Sequence, residues 1–388
     1  MGRVRVSLTV ASLCIIALVA TTAQASGRTT HQLGSQVVTR DRTTHDMPDE
    51  ISGPQVHFLY VVPADGTDRG LDANGGMEQS ITRIEHWFEA QTGDQALRID
   101  TYKGTPDITF MRLPHSDAQA TKTNPWPLWV MGEDLVAAGF NNPAKVYAAF
   151  YDGHSTWACG GAKSPALPKL GAMYLLAWPT KDARPCSDAP GFGTGTDRPG
   201  YFEIGVLHEV LHVIGFTPRC APHASADGYG DHVHDSPTDL MYGPDAKSPA
   251  GWNWFHAVLD YNHDDYYRAH IPGCPDLSES PYLEQIPSFH LTVTVRGHGS
   301  VDAFLGTSVE ACRMVCNFTA LRGSTVTLLA NPAARYRLAA WIGACSGRGD
   351  CQLTMNGATS VTAIFSAKPK PRCRKGQKST KKHPCVRK

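Results

Sequence analysis

The chain predicts an α+β fold for most of its length, followed by a small all-β module, and three features of its 388 residues carry that reading. Up to about residue 214, short β-rich apolar runs are interspersed with longer stretches of helical spacing. Residues 217–288 are rich in Pro, Gly and Asp and hold no sustained periodicity. From about Pro287 the composition changes, and residues 290–366 alternate polar with β-branched or apolar side chains between Gly-rich turns.

Each element follows from its own pattern. Residues 1–25 read as a secretory signal: Arg3 and Arg5 precede an apolar run from Val6 to Ala20, with Ala23-Gln-Ala25 as a small-x-small cleavage site. The run is too short for a secure membrane span, and no other segment is apolar enough to cross a bilayer. Residues 26–54 are polar and aperiodic, as in a linker or short propeptide, and contain no cysteine. Val56 to Val62 reads as a strand; Met77 to Ala90 has helical spacing through Ile81, Ile84, Trp87 and Phe88. Strands are expected at Leu97 to Tyr102, Ile108 to Leu113, Val146 to Tyr151 and Met173 to Trp178, with a helix over Leu128 to Ala138. In the module, Leu291 to Val295, Thr325 to Leu329 and Ser360 to Phe365 are its clearest strands.

The chemistry sits in His208-Glu-Val-Leu-His-Val-Ile-Gly-Phe216. Ile204, Leu207, Leu211 and Ile214 make one apolar stripe, so the segment is a helix between Pro199-Gly200 and Gly215. On that helix His208 and His212 lie one turn apart on one face, where both imidazoles can reach a single metal ion. Glu209 is placed to act on a water held by that metal rather than on the metal itself. Two incidental core histidines are the plainer alternative.

A catalytic zinc site needs three protein ligands and an open position. The H-E-x-x-H-x-x-G motif resembles that of the metzincin clan of zinc peptidases, in which the third ligand follows three residues after the glycine. Here that position is Pro218, which cannot bind zinc. The downstream run His232-Val-His-Asp-Ser-Pro-Thr-Asp-Leu-Met-Tyr242 is similar to the leishmanolysin-type branch, whose third histidine is displaced by an insertion and followed by a methionine turn. The resemblance implies His232 as third ligand, with His223 as the alternative and His234 or Asp231 behind it. It implies Met241 as the methionine packed beneath the ligands, with Tyr242 after it in a site or packing role. It also implies the fold: a mixed sheet with two long helices, the second bearing the metal, and residues 217–288 as a loop-rich lower half within a domain spanning 55–288. In that half, Leu259 to Tyr267 is expected either to line the cleft or to form a plain surface helix. Asp227, Asp231, Asp235 and Asp239 recur at fours and are candidates for a calcium ion, or are solvated loop carboxylates. His45, Asp46, Asp49 and Glu50 are further candidates, as groups that cap the zinc from the propeptide.

Removing Cys14 with the signal leaves ten cysteines, which in an exported protein favour disulfides. They form even groups: Cys159, Cys186, Cys220 and Cys274; Cys312, Cys316, Cys345 and Cys351; Cys373 and Cys385. Bridges are expected within groups, with connectivity open. Ala340-Trp341, Cys345-Ser-Gly and Cys351, set among the alternating strands, make residues 289–366 resemble an internalin-type B repeat in a single copy.

Formal charge is zero overall, but residues 367–388 hold ten Lys or Arg and no acid, leaving residues 26–366 with 24 basic against 36 acidic residues. The basic tail is expected to be disordered and to suit an anionic cell-wall polymer; nothing indicates specific nucleic-acid reading. The function these features imply is a secreted zinc-dependent endopeptidase with Glu209 as general base. The alternative is a surface-binding protein with a structural or inactive zinc site.

Overall fold

The computed structural model describes residues 41–122, 126–156, 158–163, 168–177, 186, 191–195, 198–214, 219–225, 232–243, 251–306 and 308–369, with the backbone of 377–378 and 386–387. The signal segment, Gly215, Pro218, Asp227, Asp231 and the Cys373/Cys385 pair lie outside the described residues.

In chain order the first domain contains β1 (Gln55–Val62), α1 (Gly76–Thr92), β2 (Gln95–Leu97), β3 (Thr101–Tyr102), β4 (Thr105–Pro106), β5 (Ile108–Arg112), α2 (Asp117–Ala120), α3 (Leu128–Ala137), β6 (Lys145–Tyr151), β7 (Gly160–Lys163), β8 (Lys169–Tyr174) and α4 (Tyr201–Val213). A five-stranded sheet has the order β5-β1-β6-β8-β7, with β5, β1, β6 and β8 parallel and β7 antiparallel along the edge. β1 and β6 are buried along their whole length, as expected of parallel strands covered on both faces. Val56, Phe58, Tyr60 and Val62 turn to the core shared with α1 and α4, whereas Leu59 and Val61 turn to the core capped by Leu128, Met131 and Leu135 of α3. The domain is therefore mixed α/β in three layers, with a third helix on the face opposite the two long ones.

Two expected strands need correction, and one strand was not expected. Residues 97–102 break into β2 and β3; β8 begins and ends earlier than Met173 to Trp178; and β7 carries no signal in the sequence. Gly160-Gly161 lowers β propensity; Gly160 packs against Glu209 of α4, as described below, and Gly161 against the Trp126 ring.

α4 is anchored at its start. Glu203, fully buried, reaches back to the Gly200 N–H at 2.5 Å and accepts from Arg83 Nε at 2.8 Å and Ser80 at 2.9 Å, which ties α4 to α1. Beyond α4 the described residues form bends and 3-10 turns, and β9 (Leu283–Gln285) returns to pair with β2. Residues 259–267 are not a surface helix. Asp260, Asn262 and His263 have positive φ, and the buried Asp260 carboxylate gathers the N–H groups of Asp265, Tyr266 and Tyr267. Asp265, Tyr266 and Tyr267 are buried with it.

Residues 41–54, read above as the end of a linker or propeptide, lie along the sheet edge. Thr43 bridges Thr109, and Arg42 pairs with Asp68 and Asp72 and lies 3.8 Å over the Phe110 ring. The buried Lys145 ammonium sits 2.6 Å from Asp46, 2.6 Å from Asp49 and 2.7 Å from Asp100.

The module comprises β10 (Ser288–Arg296), β11 (Gly299–Leu305), β12 (Ser308–Cys312), β13 (Val315–Leu321), β14 (Thr325–Pro332), β15 (Tyr336–Gly343), β16 (Cys351–Thr354) and β17 (Thr359–Ala367). Two four-stranded sheets, β13-β10-β17-β15 and β12-β11-β14-β16, enclose one core around Leu291, Val301, Phe318, Leu328, Trp341 and Phe365. Disulfides join Cys159 to Cys186, Cys220 to Cys274, Cys312 to Cys316 and Cys345 to Cys351, all within the expected groups. No helix among the described residues is long and apolar enough to cross a membrane.

Candidate metal centre

One face of α4 presents His208 and His212, whose Nε2 atoms lie 3.0 Å apart. His232 arrives from a different segment. Its neighbour Val233 bridges Ala224 on one side and Tyr242 on the other, and Ser225 N–H donates to the His232 carbonyl at 2.7 Å. That pairing delivers His232 Nε2 to 3.3 Å from His208 Nε2 and 3.2 Å from His212 Nε2.

The three ring nitrogens converge on one point, as the ligands of a single ion do. A tetrahedral ion with Zn–N of about 2.0–2.1 Å places its ligand nitrogens roughly 3.3 Å apart, so the triangle fits a zinc ion. The Nδ1–H of His208 donates to the Leu240 carbonyl at 2.6 Å, which fixes the tautomer and leaves the Nε2 lone pair facing the other two rings. Burial, then the neighbouring His232, pushes His208 down to about 3; burial and both partner histidines hold His212 well below its ordinary value. Neutral rings are the ligand form.

Glu209 follows His208 and turns toward β7. Burial pushes its carboxyl up to about 8, and the field of a divalent cation at the triad would draw it back down. Two glycines make room here. A Cβ on Gly160 would stand 2.4 Å from Glu209 Oε1, and one on Gly171 would stand 2.8 Å from the Glu209 backbone carbon, so β7 packs on the Glu209 side chain and β8 approaches α4 at backbone distance. Gly243 packs in the same way against the His232 ring, where a Cβ would meet Cγ at 2.5 Å.

Aromatic rings wall the other side. Trp252 lies 5.3 Å from the His208 ring and donates its indole N–H to the Asp239 carbonyl at 2.9 Å. Tyr201, at the first turn of α4, packs 6.0 Å from Trp252 and 5.6 Å from Trp254. Burial and the Glu209 charge push its hydroxyl up to about 12. The sequence reading missed Tyr201, Trp252 and both strand glycines. The Cys159-Gly-Gly161 doublet was a signal for close backbone approach that could have pointed to the edge strand.

Of the other candidates, His223 stands apart from the triad: its ring Nδ1 is 3.1 Å from Asp265 Oδ2, and its backbone N–H donates to the same carboxylate. His234 contributes its backbone N–H to the His223 carbonyl. Met241 and Tyr242 are both buried, Met241 within the main core. Asp239 is neither a solvated loop carboxylate nor free to bind calcium. It is fully buried and accepts from Met241 N–H at 2.7 Å, Tyr261 N–H at 2.7 Å and the Tyr266 hydroxyl at 2.9 Å. Asp235 groups with His223, Asp264 and Asp265 rather than with Asp239. The acidic residues of 41–54 do not cap the triad: Asp46 and Asp49 hold Lys145, and Glu50 accepts the Gly104 N–H. Lys145 also fills the cluster of Asp46, His57, Asp100 and Asp107, leaving it no metal-like vacancy.

Residues 289–369 match the family described as the divergent InlB B-repeat domain. No curated protein matches the chain. Among solved structures, wild-type OgpA from Akkermansia muciniphila is similar at 12% identity, covering 84% of this chain and 96% of that one with a TM-score of 0.28. The catalytically inactive OgpA in complex with an O-glycopeptide (glycodrosocin) substrate is similar at 10% identity over 82% and 97%, with a TM-score of 0.26. Scores of that size establish neither a shared fold nor a shared activity.

Proposed function

We propose that the chain is a secreted zinc-dependent endopeptidase of metzincin type, and the observation that carries this is the triangle of His208, His212 and His232 Nε2 atoms with Glu209 beside it. Bound there, zinc would act as a Lewis acid, polarising the scissile carbonyl and acidifying a water. Glu209 takes the proton of the attacking water and passes it to the leaving nitrogen, so the peptide bond is hydrolysed without a covalent intermediate. Gly160 sets the carboxylate's position, and the Leu240 carbonyl sets the His208 tautomer. Trp252 and Tyr201 wall the other side of the site.

The arginine-led apolar run of residues 1–25 and the four disulfides support export. The B-repeat match at 289–369 supports an appended surface-binding or spacer module, and the basic tail suits an anionic cell-wall polymer. That same match favours the second reading, a binding protein whose zinc is structural.

Release of peptides from casein separates the two. An endopeptidase releases them, stops with a chelator and recovers with zinc. Adhesion to cell wall with no release at any zinc level supports the binding protein.

A further inference from the structure

The four parallel strands of the first sheet lie in the order second, first, third, fourth along the chain, so strand order reverses at the seam between β1 and β6. In open α/β sheets a ligand crevice forms beyond the carboxyl ends of the strands at such a seam. Here the seam opens into a cavity of about 660 Å³, and neither Glu209 nor any of the three histidines lines it. Sites for small ligands have volumes of roughly 300–1,000 Å³.

The lining is built rather than incidental. Arg69, after β1, spans the seam to the buried Asp152, after β6, through two bonds of 2.7 Å, and the Tyr60 hydroxyl adds a third to Asp152 at 2.7 Å. Asp117 accepts from the Tyr151 hydroxyl at 2.7 Å and from the backbone and ring of His154. Asp65 stands at the rim, accepts the Asp117 N–H at 2.9 Å and has no cationic partner among the described residues. Pro63 and Leu176 supply an apolar strip beside these carboxylates. The Arg69 guanidinium is paired with Asp152 through Nε and Nη2. Three carboxylates against one guanidinium and one imidazole leave its field negative.

We propose that this crevice is a second binding site, for a small organic cation of the alkylammonium class, with the ammonium at Asp65 and Asp117 and the alkyl chain along Pro63 and Leu176. The site is independent of the metal centre and stands whether or not the peptidase reading does.

The test is calorimetric titration of the full chain at low ionic strength with 1,5-diaminopentane, using 1-pentanol and glutarate as uncharged and anionic controls. Saturable binding of one diamine per chain is expected, with no saturable binding of either control. It should persist in Glu209→Gln and in chelator. Asp65→Asn should weaken it roughly five- to tenfold, and added salt should weaken it further. Thr156→Lys, which sets an ammonium of the protein's own in the cavity, should abolish it. Absence of saturable diamine binding, equal binding of pentanol, or unchanged affinity in both folded variants would overturn the proposal.

Discussion

The Glu209 carboxylate rests against the backbone of Gly160, so closely that a methyl group on that glycine would come within 2.4 Å of Oε1. A residue on the sheet's edge strand thus fixes where the proposed base stands, although the two are far apart in sequence. Gly160→Ala is predicted to keep one zinc per chain and a nearly unchanged Tm while kcat falls on the order of 100-fold, the cost of a misplacement near 1 Å. Zinc content and kcat measured on one preparation check it; unchanged kcat would remove Gly160 from the account.

Glu209→Gln keeps the shape of the side chain and removes its basicity. Zinc should be retained, and turnover on a quenched peptide should fall by about 10²–10⁴-fold. Turnover within a factor of a few of the parent would assign the proton transfer to another group.

The two histidines proposed for the third ligand separate cleanly. His232→Ala should weaken zinc binding by more than the ~10–100-fold expected when only a supporting contact is lost. His223→Ala should leave zinc affinity within a few-fold of the parent, because its ring is held by Asp265. Competition with a chromophoric chelator reads both, and the reverse ranking would move the ligand to His223.

Asp239 makes stability depend on pH. Burial raises its folded carboxyl from 3.8 to about 7, so between about pH 4 and 7 the folded chain keeps a proton that the unfolded chain has released. Its contribution is fully present below the unfolded value and is lost as pH rises through about 7. Tm should therefore carry a component that falls over this window, and Asp239→Asn should remove that component. An Asn variant with the parent's full pH slope would assign the effect elsewhere, beginning with Asp260, which burial raises to about 6.

How much of this was legible follows from how local each signal is. His208 and His212 lie within one turn of one helix, so spacing alone places them on one face. β1 and β6 announce themselves as unbroken apolar runs. The module's strands alternate strongly, though the sequence does not reveal that β10 pairs with β17 in parallel. β7 was illegible because its two glycines answer to distant partners, Gly160 to Glu209 on α4 and Gly161 to the Trp126 ring. The stretch around Asp260 was illegible because non-glycine residues hold its left-handed turns, stabilised by one buried carboxylate. Asp239 looked like one of an evenly spaced acidic series, and only the convergence of Met241, Tyr261 and Tyr266 reveals it as a structural anchor. His232 was reached through the histidine-to-methionine pattern, and its approach to the helix depends on pairing with segments on either side.

Zinc K-edge absorption on the zinc-loaded full chain counts the groups that hold the ion. Three imidazole nitrogens at about 2.0–2.1 Å and one exchangeable oxygen are expected. Two imidazoles, or four protein ligands with no exchangeable position, would contradict the three-histidine site.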